Sequence, residues 1–140
     1  MLLRLLSPTQ AIARRINTAR FPVAVPFNTH NNLRFAHTMS SVQDLVENAI
    51  ASNKIAIFSK SWCPYCARAK KLFQENFPEE TPLVLELDLR DDGDAIQDYL
   101  EHKTGQSTVP NVFVNKKQVG GNDKTQAAFK SGELTRLVHL

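Results

Sequence analysis

KIAIFSKSWCPYCARAKK, residues 54–71, sets an apolar run directly against a close cysteine pair. Residues 54–59 read as a short buried strand, since the apolar residues are nearly continuous and partly β-branched. Pro64 suits the first position of a helix, where its missing N–H costs nothing. Between the two lie Cys63 and, one turn on, Cys66, the only two cysteines of the chain. Lys60, Arg68, Lys70 and Lys71 stand close by, and no acid occurs between Lys54 and Glu75.

A helix that starts at Pro64 makes Cys63 its N-cap. The sulfur then lies near unpaired backbone N–H groups at the positive end of the helix dipole, which favours a thiolate. Cysteine in C-x-x-C motifs at helix N-termini titrates at roughly 3.5–7.5, against about 8.5 for a free thiol. Cys66 lies one turn inside, where ionisation is less favoured. Residues three apart on a helix are within disulfide reach. Cys63 can therefore attack, and Cys66 can resolve or close the internal disulfide. A structural zinc site needs four ligands, and the histidines do not complete one: His30 and His37 fall in the first forty residues, His139 is next to the C-terminus, and His102 is in a charged helix. A purely structural disulfide would close almost no loop and stabilise little.

Working outward, the 140 residues fit one domain, and 42% apolar content supplies an ordinary core. Charge is uneven. Residues 1–40 carry five arginines and no acid, whereas residues 41–140 carry 12 basic and 14 acidic side chains. The basic balance belongs to the leader, so the body requires no nucleic-acid reading. Residues 1–39 have the Arg-, Ser- and Thr-rich, acid-free composition of a transit peptide or, alternatively, of a disordered basic leader with no address, with residues 40–140 as the domain. Because the leader has arginine and no lysine, the mitochondrial matrix is the expected destination. Met39 offers a second start, which would yield a cytosolic form. Arg4 interrupts the only run that could serve secretion, and nothing approaches the ~20 apolar residues of a membrane span.

Ser41 to Asp44 reads as a capping box opening a first helix, with Val42, Leu45, Val46 and Ile50 at helical spacing. In the second helix Ala69, Leu72, Phe73 and Phe77 share a face, and Pro78 ends it. LVLELD (83–88) is a second strand. Residues 91–105 form a third helix with Ile96, Tyr99 and Leu100 on one face and Gly105 as its stop. NVFV (111–114) and the QV at 118–119 flank a hairpin turn, and Gly120-Gly121 breaks the strand. A helix follows from about residue 122 to 132, then a short one. The order α-β-α-β-α-β-β-α-α predicts an α/β fold, with strands 1 and 2 parallel, strands 3 and 4 antiparallel, and helices on both faces of a mixed sheet.

CPYC, TVP (108–110) and GGND (120–123) occur in an order and spacing that resemble a dithiol glutaredoxin over residues 41–140. The resemblance implies the thioredoxin fold with a four-stranded mixed sheet, and glutathione as reducing co-substrate, with no metal. It implies site roles as well. Lys60 matches a lysine that contacts the glycine carboxylate of glutathione, and Gln97 an assisting glutamine. Tyr65 borders the groove. Thr108, Val109 and Pro110 form the loop beside Cys63, with Pro110 in cis and the Val109 backbone facing substrate. Gly121 and Asn122 offer N–H groups to the γ-glutamyl carboxylate, and Asp123 accepts from its α-amino group. Lys124 departs from the family, where an acid is common.

Each of these residues has a plainer reading: a solvated strand-end lysine, a polar helix residue, a helix cover, a trans proline opening a strand, and turn glycines before an Asn or Asp cap. Trp62 has no chemical role in either account. The expected activity is glutathione-dependent reduction of protein–glutathione mixed disulfides and protein disulfides by a monomer. Two alternatives remain. One is a homodimer holding a glutathione-ligated [2Fe–2S] cluster, against which Pro64 speaks, since cluster-binding relatives carry Ser or Gly there. The other is a binding module of the same fold, with an ordinary Cys63 thiol.

Overall fold

The strand of the quoted segment, β1 (Ile55–Ser59), is buried at every position and lies in the middle of a four-stranded sheet. The computed structural model describes residues 29–140, in which α1 (Thr29–Ser52), β1, α2 (Pro64–Asn76), β2 (Leu83–Glu86), α3 (Gly93–Thr104), β3 (Asn111–Val114), β4 (Lys117–Gly120), α4 (Asn122–Lys130) and α5 (Glu133–Val138) follow in order. The strand order is β2-β1-β3-β4. β1 and β2 run parallel with Ser59 opposite Glu86, and β1–β3 and β3–β4 are antiparallel. This is the mixed sheet predicted from the sequence.

Alternation along the strands supplies both faces. Ala56, Phe58 and Phe113 pack with Val42 and Val46 of α1 and Ile96 and Leu100 of α3. Ile55, Ile57, Val112 and Val114 pack with Ala69, Leu72 and Phe73 of α2 and with Leu134 and Val138 of α5. The helix faces read from spacing are the buried ones.

β1 starts at Ile55 and α3 at Gly93, one and two residues later than expected, and boundaries differ further at α1, β2, β4 and α4. α1 starts at Thr29, so Ser41 lies inside the helix and is no cap. No proline or glycine follows Pro26 until after Ser52, so nothing in that stretch breaks the helix. The domain start expected at residue 40 thus falls within α1; the leader reading otherwise rests on residues 1–28, outside the described residues. β2 ends at Glu86, and Leu87–Leu89 form a 3-10 turn. β4 includes Gly120, whose φ of 116° and slipped pairing with Val112 only glycine accommodates readily. α4 stops at Lys130, and Gly132 (φ 78°) separates it from α5. The β3–β4 turn is made by Asn115 and Lys116, both at positive φ, as a two-residue hairpin requires.

The 3-10 turn is held by Gly93. A Cβ at that position would lie 1.8 Å from the Leu87 carbonyl oxygen, so the start of α3 and the turn meet backbone to backbone. Among the described residues no helix is long and apolar enough to cross a membrane.

A candidate thiol redox site at the start of α2

Cys63 is the N-cap of α2, with extended backbone (φ −82°, ψ 119°) and Pro64 as the first helical residue. Its N–H donates to the Lys60 carbonyl (3.0 Å), so residues 60–63 form the turn that joins β1 to α2. No side chain caps the helix, which leaves the first-turn N–H groups to the Cys63 sulfur.

The two thiols are free but unequal. Cys63 retains 7% exposure and Cys66 none. Burial pushes the Cys63 thiol up. The Cys66 N–H and thiol, the Tyr65 N–H and the charge of Lys70 outweigh it, and Cys63 ends below the ordinary thiol value. At Cys66 burial dominates and the shift is upward; the adjacent Cys63 adds to it, while the Lys60 N–H and the Ser59 hydroxyl oppose it. One turn of helix thus separates a thiol shifted down from a thiol shifted up.

The cations divide their work. Lys70 acts on Cys63 while bonding Glu86 on β2 at 2.6 Å. Arg68 lies over the Tyr65 ring, 5.4 Å from its centroid. Lys71 pairs with Glu75 along the helix. Lys60 bears on Asp88, whose carboxylate is held below the usual range chiefly by the Ser61 hydroxyl and N–H.

The loop before β3 forms the other wall. Val109–Pro110 is a cis peptide, and the Val109 carbonyl oxygen lies 4.0 Å from the Cys63 sulfur. A groove of about 450 Å³ opens here, lined by Tyr65, Gln106, Thr108, Val109, Pro110, Gly121, Asn122, Asp123 and Lys124. Gly121 caps α4 without a side chain, so the N–H groups of that helix start face the groove unclaimed by a cap. Asp123 accepts a hydrogen bond from the Asn122 amide (3.1 Å). Lys124 also reaches the groove, with its aliphatic stem against Gly120.

Seven of the predicted binding residues therefore line one groove beside Cys63. Lys60 and Gln97 do not line it. Lys60 sits at the turn on the Asp88 side, and the Gln97 amide donates to the Ser107 carbonyl, supporting the loop from behind. Gln106 was missed by the sequence reading. Its amide nitrogen donates to both the Thr108 and Pro110 carbonyls (2.9 Å each), clamping the loop that carries Val109. A polar residue just past a helix-ending glycine gives no signal in sequence that it turns inward.

Residues 55–119 match the family model described as Glutaredoxin. Glutaredoxin-C4 of Arabidopsis thaliana is 50% identical over 95 residues, covering 68% of this chain and 69% of that protein. Monothiol glutaredoxin-S6 of Oryza sativa subsp. japonica is also 50% identical, over 93 residues, covering 66% and 70%. The crystal structure of a buckwheat glutaredoxin–glutathione complex superposes with a TM-score of 0.69 at 37% identity, over 74% of this chain and 92% of the other. With a four-stranded mixed sheet of the thioredoxin fold and its cysteine pair at the start of α2, the chain belongs to the glutaredoxin family.

Proposed function

We propose that this protein is a glutathione-dependent thiol–disulfide oxidoreductase that acts on protein–glutathione mixed disulfides and on protein disulfides. The observation that carries this reading is the unequal cysteine pair. A thiol biased toward its anion stands at the edge of a groove, with a buried, neutral thiol behind it. The Cys63 thiolate attacks the glutathionyl sulfur of a mixed disulfide, and the client protein leaves as a thiolate. A second glutathione then attacks the Cys63-bound glutathione, releasing glutathione disulfide and restoring Cys63. With a protein disulfide, Cys66 attacks Cys63 instead and closes the internal disulfide.

Glutathione lies in the groove between Tyr65, the Thr108–Pro110 loop and the start of α4. Its γ-glutamyl carboxylate is held by the N–H groups of Gly121 and Asn122, and its amino group by Asp123. Lys60 serves the glycine carboxylate at the far side of Cys63. The buckwheat glutaredoxin–glutathione complex supports this choice of co-substrate. The protein works as a monomer in the mitochondrial matrix, and initiation at Met39 gives a cytosolic form. Cys66→Ser retains reduction of glutathione mixed disulfides and Cys63→Ser abolishes it. Equal loss in both variants overturns the monothiol step. Immunoblots of fractionated cells test the localisation, and a single short band confined to organelles counts against the Met39 start.

A further inference from the structure

Ser59 ends β1 with its side chain on the α2 side of the sheet, the side to which Ile55 and Ile57 contribute. The residue is fully buried, and its hydroxyl oxygen makes no hydrogen bond. An unpaired buried hydroxyl is disfavoured and calls for a reason. Cys66, equally buried, is on α2, the helix packed against that side of the sheet. The Ser59 hydroxyl favours the Cys66 thiolate, and in its present position it completes no hydrogen bond. The Lys60 backbone N–H acts on the same sulfur in the same sense. Lys70, one helical turn beyond Cys66, bonds Glu86, the cross-strand partner of Ser59, and its charge bears on Cys63. Two neutral donors, then, are what this buried sulfur has at hand.

Cys66 bears charge at one stage of dithiol exchange. When an outside thiolate attacks the Cys63 sulfur of the internal disulfide, a new S–S bond forms. The Cys63–Cys66 bond breaks, and its electron pair leaves on Cys66. The attacking thiol is oxidised to the mixed disulfide, Cys66 is reduced, and the proton given up by the attacking thiol balances the one Cys66 later takes from water. Closure is the reverse. In both directions Cys63 is bonded to another sulfur and uncharged, so its opposition to Cys66 ionisation is gone, while burial persists.

We propose that the Ser59 hydroxyl and the Lys60 N–H form a two-donor pocket that receives the Cys66 thiolate as the internal disulfide opens and presents it as the disulfide closes. The hydroxyl is idle in the dithiol and engaged in the reaction. This assignment rests on reading Cys63 and Cys66 as an exchange pair.

The test is the rate at which dithiothreitol opens the internal disulfide of the oxidised full chain, followed by alkylation and mass measurement. A hydrogen bond to the leaving thiolate lowers its pKa and speeds departure, so Ser59→Ala slows opening about tenfold. Ser59→Thr and Ser59→Val, nearly equal in shape, isolate the hydroxyl: threonine recovers most of the rate and valine does not. The comparison reaction is dithiothreitol opening of a Cys63–glutathione mixed disulfide in the Cys66→Ser background, where no charge lands at position 66. There Ser59→Ala has less than a third of its effect on the internal disulfide. Equal slowing of both reactions, or equal rates for threonine and valine, overturns the proposal. If the wild type fails to reduce glutathione mixed disulfides but Ser59→Ala still slows opening selectively, the functional reading falls and the thiolate pocket stands.

Discussion

Lys70 bonds Glu86 across the α2–β2 boundary at 2.6 Å, yet its charge still reaches Cys63 seven residues back along the helix. The ion pair therefore divides one cation between a carboxylate and a thiolate. Glu86→Gln releases Lys70 and lowers the Cys63 pKa further, and Lys70→Met raises it. Both side chains are partly exposed, so solvent screens the effect, and alkylation rates of Cys63 at pH 6 should change by roughly two- to fivefold in opposite directions. Changes of the same sign in the two variants would contradict the shared-cation account.

Because the Cys63 pKa lies below that of an ordinary thiol, reactivity should persist as pH falls through the usual thiol range. It should decline only through the lowered value. By linkage, this thiol contributes stability to the reduced protein above its unfolded pKa, and the contribution is lost as pH falls through the folded one. Cys66 has the opposite sign: its raised pKa makes a contribution present below the unfolded value and lost as pH rises through the folded one. Thiolate absorbance against pH, in wild type and Cys63→Ser, separates the two. An ordinary thiol at Cys63 would instead favour a binding module without catalysis.

Gln106→Ala removes both bonds that hold the Thr108 and Pro110 carbonyls. At about 1 kcal/mol for each of the two bonds, kcat/KM for a glutathione mixed disulfide should drop roughly thirtyfold. The alkylation rate of Cys63 should barely move, since the helix start is untouched. Steady-state kinetics beside alkylation rates test this, and a parallel loss in both would place Gln106 in a general structural role.

Gly93→Ala forces a methyl group onto the Leu87 carbonyl, with backbone on both sides of the contact. Urea unfolding should show a loss of about 1–3 kcal/mol, the range for overpacking a close site. The 3-10 turn also carries Asp88, whose bonds to Ser61 brace the turn before Cys63, so the variant should react more slowly as well.

Glu47 of α1 accepts from the Tyr99 hydroxyl (2.6 Å) and pairs with Lys103 (2.7 Å), both on α3. Lys103 and Tyr99 hold its carboxyl below the usual range, and the same bond pushes Tyr99 up to about 12. The Glu47 contribution is complete above the unfolded pKa of about 4.3 and is lost as pH falls through the folded value. The Tyr99 contribution is complete below about 10 and is lost as pH rises through its raised value. With these groups partly exposed, Tyr99→Phe should cost about 1 kcal/mol or less at pH 7, and less still at pH 3. Thermal melts at the two pH values check the difference.

The cysteine motif and the strand–helix alternation carried most of this fold in sequence. Pro64 fixed the helix start, and with it the N-cap role of Cys63, because proline's geometry is local. The apolar spacing of Ala69, Leu72 and Phe73 named the face that packs on β1. What stayed hidden depends on contacts distant in the chain or on side-chain direction. Gln106 turns back onto its own loop, Glu86 reaches across to Lys70, and Ser59 meets Cys66 only because β1 and α2 are packed together. Ser41 misled for a related reason: a capping pattern marks a helix start only where the preceding residues leave the helix, and here they stay in it.

The sheet faces bear on how the molecule melts. β1 and β3 give alternate side chains to the clusters on both sides, and Phe58 and Phe113 cross edge to face in one of them. Neither layer of helices can detach without stripping one face of strands that the other layer needs. Loss of α1 and α3 and loss of α2 and α5 should accordingly coincide in a single cooperative transition. A substitution that weakens either layer then lowers the melting point of the whole domain, and heat stability becomes a readout of both layers at once.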